Sequence, residues 1–204
     1  MKKILSVTVL LGMICFQSLA QSTGTHNGHK WVDLGLSVKW ATCNIGALTP
    51  GGYGNYYAWG EMSVKSDYSI TNSASYGKED WGDISGDPGR DAARAQWGGK
   101  WRLPTKSEFQ ELIVNSTWTW TTQNGHSGYL VTSDKNGQTI FLPAAGWRLG
   151  NESGYVGSYG SYWSSSPGEE YAFDACGLFF FEGYRNVSLD SRRYGRSMRP
   201  VLGE

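Results

Sequence analysis

Ala175-Cys176-Gly177-Leu178-Phe179-Phe180-Phe181 puts large apolar groups at consecutive positions. Successive side chains of a strand point to opposite faces, so this run predicts a strand that is apolar on both sides. It lies in a longer stretch, residues 160–201, that opens with Gly160-Ser161-Tyr162-Trp163-Ser164-Ser165-Ser166-Pro167 and closes with Tyr194-Gly195-Arg196-Ser197-Met198-Arg199-Pro200-Val201. If Leu178 and Phe180 face the core, then Gly177, Phe179 and Phe181 face outward, and an outward aromatic ladder marks a binding surface. Tyr184, Asn186, Asp190, Arg193 and Tyr194 add stacking and polar groups nearby. A set rich in Tyr, Asn, Ser and Gly resembles an antibody-type paratope, where aromatics supply area at low entropic cost. A second arrangement stays open: Phe179 and Phe181 pack beneath residues 149–159 or against residues 53–59, as buried aromatics commonly do.

Working outward, Met1-Lys2-Lys3, the apolar run 4–16 and Ser18-Leu19-Ala20 predict a secretory signal peptide over residues 1–20. A lipoprotein reading would use Cys15, but Ile14 stands where a small residue is expected. The apolar run is shorter than the roughly 20 residues of a spanning helix, so no transmembrane segment is expected after its removal, and the address is secreted or cell-surface, with the periplasm as another option. The whole chain carries 18 basic and 18 acidic side chains. Losing Lys2 and Lys3 leaves a slight acidic excess, which argues against nucleic acid as a partner. The length suits one well-buried domain. Ten Trp, 12 Tyr and 28 Gly predict short strands joined by tight turns.

Residues 21–29 are small and polar and read as a flexible leader, leaving residues 30–204 as a single domain. Trp31-Val32-Asp33-Leu34-Gly35-Leu36-Ser37-Val38-Lys39-Trp40-Ala41 predicts two short strands turning near Gly35, with Trp31, Leu34, Val38 and Trp40 in the core. Residues 53–61 read as an aromatic strand, and residues 62–89 as a long surface loop. Residues 91–97 form a short helix stopped by Gly98-Gly99. Thr105 followed three residues later by Glu108 is a capping box opening an amphipathic helix with Phe109, Leu112 and Ile113 on one face. Residues 118–121 and 128–133 read as strands, the second forming a hairpin with residues 139–148 across Asp134-Lys135-Asn136-Gly137. Residues 149–159 read as a glycine-rich loop.

The succession Trp31-Val32-Asp33-Leu34-Gly35-Leu36, Trp40-Ala41-Thr42-Cys43-Asn44, Tyr57-Ala58-Trp59-Gly60-Glu61, Trp101-Arg102-Leu103-Pro104-Thr105, Phe141-Leu142-Pro143-Ala144-Ala145-Gly146, Tyr162-Trp163-Ser164-Ser165-Ser166 and Gly195-Arg196-Ser197-Met198-Arg199-Pro200-Val201 resembles the Fibrobacter succinogenes major paralogous domain. That family is common in exported proteins of Bacteroidetes-type bacteria. It is similar in turn to formylglycine-generating sulfatase-modifying proteins and to retroelement variable proteins. The resemblance implies an α+β chain of C-type lectin-like fold: two helices beside a small, twisted, mostly antiparallel sheet with long loops. Matched by frame to the variable proteins, Phe173, Asp174, Gly177, Phe179, Phe181, Asn186, Asp190 and Tyr194 fall near exchangeable positions. Glu169, Glu170 and Glu182 do not fit that pattern, since altering adenines in asparagine codons does not yield Glu, which points to a fixed paralogue.

The chemistry weighs against catalysis. A formylglycine-generating enzyme needs a local cysteine pair for copper, whereas the C-terminal region has only Cys176 and Cys43 lies far upstream. A calcium-dependent lectin needs Glu-Pro-Asn and Trp-Asn-Asp, and neither occurs. Asp80, Asp83, Asp87 and Asp91 match no calcium loop and suit a solvated loop before a helix N-terminus. His26 and His29 fall in the expected leader, which leaves His126 in the domain body, in a turn. Glu169 and Glu170 are adjacent and diverge on a strand. The expectation is therefore a non-catalytic module without cofactor or metal that binds a protein or glycan. Its site residues are Phe173, Asp174, Phe179, Phe181, Tyr184, Asn186, Asp190, Arg193 and Tyr194; an exported enzyme and a structural surface component are the alternatives.

Overall fold

The computed structural model describes residues 22–79 and 81–203; the expected signal peptide over residues 1–20, and Asp80 of the acidic loop, lie outside them. The expected α+β arrangement is corrected by what forms: strand residues outnumber helical ones about 40% to 10%, and only one of two helices is seven residues or longer. The first helix, α1 (Ala92–Trp97), and the second, α2 (Lys106–Val114), sit among four separate antiparallel sheets rather than beside one. The reason lies in composition. Aromatic and β-branched residues at alternating positions dominate, and no apolar stripe at helical spacing runs beyond three turns.

The first sheet joins β1 (Thr23–His26), β2 (His29–Val32), β3 (Lys39–Ala41), β13 (Val201–Leu202) and β4 (Trp101–Arg102) in that order. Residues 22–29 are therefore not a free leader. Asn27 and Gly28 both have positive φ, 46° and 82°, which is the backbone of a two-residue hairpin turn joining β1 to β2. The hairpin is fastened to the domain: Trp101 Nε1 donates to His26 O at 2.9 Å, Lys100 N donates to His26 Nε2 at 3.0 Å, and the His29 ring stacks on Trp97 at 3.8 Å. The turn near Gly35 and the buried Trp31, Leu34, Val38 and Trp40 are as the sequence predicts.

Alternation splits this sheet between two cores. Val32, Trp40 and Val201 enter one with Phe109 and Leu112 of α2, while Trp31 and Ala41 enter the other with Trp97, Trp101 and Trp163. The capping box closes α2, Thr105 Oγ1 accepting from Glu108 N at 3.2 Å and Glu108 Oε2 accepting from Thr105 N at 2.7 Å. Asp91 caps α1. Its buried carboxylate accepts from Ala93 N, Gly86 N and Leu103 N at 2.8 Å each and from Arg94 N at 3.2 Å. Burial pushes that carboxyl up, and the four donors pull the other way.

A second sheet holds β5 (Ser116–Gln123), β6 (His126–Ser133) and β7 (Thr139–Pro143). Its first hairpin turns at Asn124-Gly125, again with both φ positive. Residues 53–61 do not form the expected strand. They meet the last segment at one β-bridge, Tyr57 and Arg196 exchanging two backbone hydrogen bonds of 3.0 Å, and at Trp59 N, which donates to Arg192 O at 2.9 Å. Residues 149–159 are more ordered than expected, since β8 (Trp147–Leu149) and β9 (Glu152–Gly154) pair as a small hairpin. The fourth sheet is the opening stretch itself: β10 (Gly160–Pro167), β11 (Asp174–Phe181) and β12 (Tyr184–Ser191).

Candidate functional site

Strand β11 is central, pairing with β10 through Ser161 opposite Phe179 and Trp163 opposite Gly177, and with β12 from Asp174 opposite Ser191 to Phe181 opposite Tyr184. Leu178 and Phe180 enter the core with α2, as expected. Gly177, Phe179 and Phe181 share the other face with Tyr184, Asn186 and Asp190 of β12, because directly opposed residues point the same way. That face is only partly wet. Phe181 and Tyr184 are 46% and 44% exposed, but Phe179 is 3% exposed. The second arrangement left open by the sequence therefore holds for Phe179. Its ring lies against Gly177, where a Cβ would stand 2.9 Å from Phe179 Cζ, and beneath Tyr159 at 6.4 Å.

Arg196 lies under the same ring. It is fully buried, and its guanidinium sits 4.4 Å from the Phe179 centroid, 4.6 Å from Trp163 and 5.3 Å from Tyr194. It donates to Asp190 Oδ2 and to Ser161 Oγ, while its Nε is buried without a partner. Burial pushes this guanidinium down from its usual value and Asp190 pulls it back up; arginine stays cationic at such a site. Asp190 keeps its carboxylate 38% exposed at the surface of the pair.

Above this floor is a cleft of about 480 Å³. Its walls are Trp147 from the small hairpin, Tyr155, Ser158 and Tyr159 from the following turn, Tyr194, and Phe181 at one end; Asp190 and Arg196 close the base. Trp147 and Tyr194 meet edge to face at 5.7 Å and 84°. Tyr159, Phe181 and Tyr184 instead lie nearly parallel, at 6.5 Å and 20° and then 4.9 Å and 16°. Tyr155 is 69% exposed and has φ of 56°, an uncommon backbone for an aromatic residue and one that concentrates at functional sites. The turn is held by Tyr159 N and Ser158 N donating to Tyr155 O at 3.0 and 3.1 Å, and by Gly157 N donating to Ala144 O at 2.7 Å.

Of the residues expected from sequence, Phe181, Asp190 and Tyr194 line the cleft, Tyr184 extends its rim, Phe179 forms its floor and Asn186 stands exposed on the same strand face. Arg193 does not line it; its guanidinium lies 5.8 Å from the Tyr194 ring. Phe173 and Asp174 do not line it either. They stand at the start of β11, about 24 Å along the strand from Phe181, with Phe173 packed on Tyr76 at 4.9 Å. Asp174 O accepts from Arg192 Nε at 2.9 Å, and burial pushes its carboxyl up with help from Asp190. Sequence reasoning missed Trp147, Tyr155, Ser158 and Tyr159. The signal was present in Gly154-Tyr155-Val156-Gly157-Ser158-Tyr159-Gly160, which spaces aromatics with small residues much as a paratope does.

Elsewhere, Cys43 and Cys176 are free thiols. Cys176 lines a cavity of about 290 Å³ with Lys106 and Glu169, and burial pushes its thiol up, away from the reactive thiolate. Among the described residues no three His, Cys, Asp or Glu side chains converge to hold a metal ion, and no helix is long and apolar enough to cross a membrane. Residues 125–201 match a family model described as a domain of unknown function, DUF8237. That segment runs from the turn before β6 to β13 and contains every residue lining the cleft. Neither curated proteins nor solved structures provide a match to the chain.

Proposed function

We propose that the protein is an exported, non-catalytic binding module whose ligand seats in the aromatic cleft between the 155–159 turn and strands β11 and β12. The observation that carries this reading is the cleft itself. Exposed Tyr155 and Phe181 flank a concavity whose volume is that of a ligand site, over a floor fixed by buried Arg196. The remaining site residues suit a platform and have no arrangement for chemistry: the cleft lining holds no Cys, His or Lys, and its single Ser is tied to Tyr155 O at 3.1 Å. The sequence resemblance to an exported paralogous domain and the basic, then apolar, N-terminus support the exported address.

The test uses an array of immobilised glycans and a displayed peptide library as probes. Tyr155→Ser and Phe181→Ser together should weaken any selected binder by at least about tenfold, or 1.4 kcal/mol. Tyr155 is largely solvated and Phe181 about half solvated, so stability should fall by no more than about 1 kcal/mol. Binding that survives both substitutions, or chemical turnover of a captured probe, overturns the reading.

A further inference from the structure

Resting on the cleft as the binding site, we infer that its ligand is an uncharged oligosaccharide. The first ground is charge. Asp190 and Arg196 are the charged residues of the lining, and they neutralise each other. An anionic ligand would compete with Asp190 for Arg196, and a cationic one would meet a buried guanidinium whose ring faces are already taken by Trp163, Phe179 and Tyr194. A cationic ligand that drew Asp190 away would also leave Arg196 buried and uncompensated, which is costly.

The second ground is hydrogen bonding. A purely hydrocarbon ligand would cover the part-exposed Asp190 carboxylate with nothing to bond it. The base therefore asks for uncharged hydrogen-bond donors beside an apolar wall, which is what neighbouring sugar hydroxyls supply. The third is shape. A pyranose presents flat C–H faces between its hydroxyl edges, and those faces stack on aromatic rings; Tyr155, Phe181 and Tyr184 keep 69%, 46% and 44% of their surface exposed for such contact. Platform and polar base share one cleft, the Tyr159 ring lying 6.4 Å from Phe179 and Phe179 4.4 Å from the Arg196 guanidinium. A concavity of about 480 Å³ suits a short oligosaccharide better than a folded protein surface.

The experiment is calorimetric titration of the purified protein with neutral hexasaccharides of differing linkage, glucans, mannans, xylans and N-acetylated chitin fragments, beside sulfated and uronic-acid oligosaccharides. At least one neutral series should bind, with affinity rising with chain length and unchanged between about 0.01 M and 1 M salt. Phe181→Ala and Tyr155→Ala should each lower that affinity at least tenfold while the melting temperature holds. Binding to none of the neutral series, or preference for the anionic sugars with strong salt dependence, overturns the inference. Peptides that bind through Phe181 and Tyr155 while the sugars do not would overturn the sugar assignment and keep the cleft; loss of dependence on these residues for every probe would sink both.

Discussion

Three arginines in the last segment, Arg192, Arg196 and Arg199, are fully buried, and the way each is satisfied differs. Arg196 pairs with the carboxylate of Asp190. Arg199 has no carboxylate; it donates to Asn44 Oδ1, Ala41 O, Thr42 O and Phe141 O at 2.8 to 3.0 Å. Arg192 likewise donates to Asp174 O and Lys78 O at 2.9 Å. Carbonyl acceptors have no sequence signature, which is why these roles were not legible. The Arg102–Glu108 pair was equally hidden, although Glu108 itself was read as a cap. Burial raises the Glu108 carboxyl, but Arg102 at 2.5 Å and the Thr105 amide outweigh it and hold it below its usual 4.5. The resulting stability is present above that value and is lost as pH falls through the folded one. Glu108→Gln should cost about 1 to 3 kcal/mol at neutral pH and flatten the acid limb of a stability profile measured by urea unfolding; an unchanged acid limb would remove Glu108 from its causes.

At the scale of elements, local signals were most informative where backbone chemistry is decisive. The capping box before α2, the stop at Gly98 and the turn at Asn136-Gly137 are local and appear where the sequence puts them. The Asn27-Gly28 turn carries the same kind of signal, yet the small polar composition of residues 21–29 outweighed it in the reading. Both turn residues adopt positive φ, so the cost of a side chain there is conformational, and no atom lies within 4 Å of a Cβ built on Gly28. Gly28→Ala should lower stability by about 1 kcal/mol and loosen the His29 stack on Trp97, visible as a change in tryptophan fluorescence. An unaltered melting curve and spectrum would mean that the first hairpin contributes nothing to the domain. Residues 53–61 failed as a strand for the opposite reason: aromatic propensity was high, but only Tyr57 forms a strand-type bridge, and the other backbone bonds, such as Trp59 N to Arg192 O, are scattered.

For the whole molecule, the sheets are small and share no continuous ladder, so side chains must fasten them to one another. Arg199 links the end of β3 and the loop after it to Phe141 of β7, joining the first sheet to the second. Its planar fork reaches four acceptors that a point charge does not span. Arg199→Lys should therefore cost about 3 kcal/mol or more and broaden the thermal transition in calorimetry, as the sheets come apart at different temperatures. A sharp transition within a degree or two of the parent would show that packing of the two cores alone holds the sheets together.

Sequence by itself determined the alternation of β11, the assignment of Leu178 and Phe180 to the core, the capping box of α2, the glycine stop of α1 and several of the residues that end up around the cleft. Those features depend on neighbours a few positions away, where strand and helix periods are strict. It did not determine which outward aromatics stay wet or how the helices and sheets would be apportioned. Phe179 and Phe181 are two residues apart on one face, and only the fold places Tyr159 and Arg196 over and under the first while leaving the second in solvent. The cleft likewise exists because the β8–β9 hairpin and the 155–159 turn fold back over β11 and β12. Long-range covering of that kind is set by packing among separate elements, which no local period encodes.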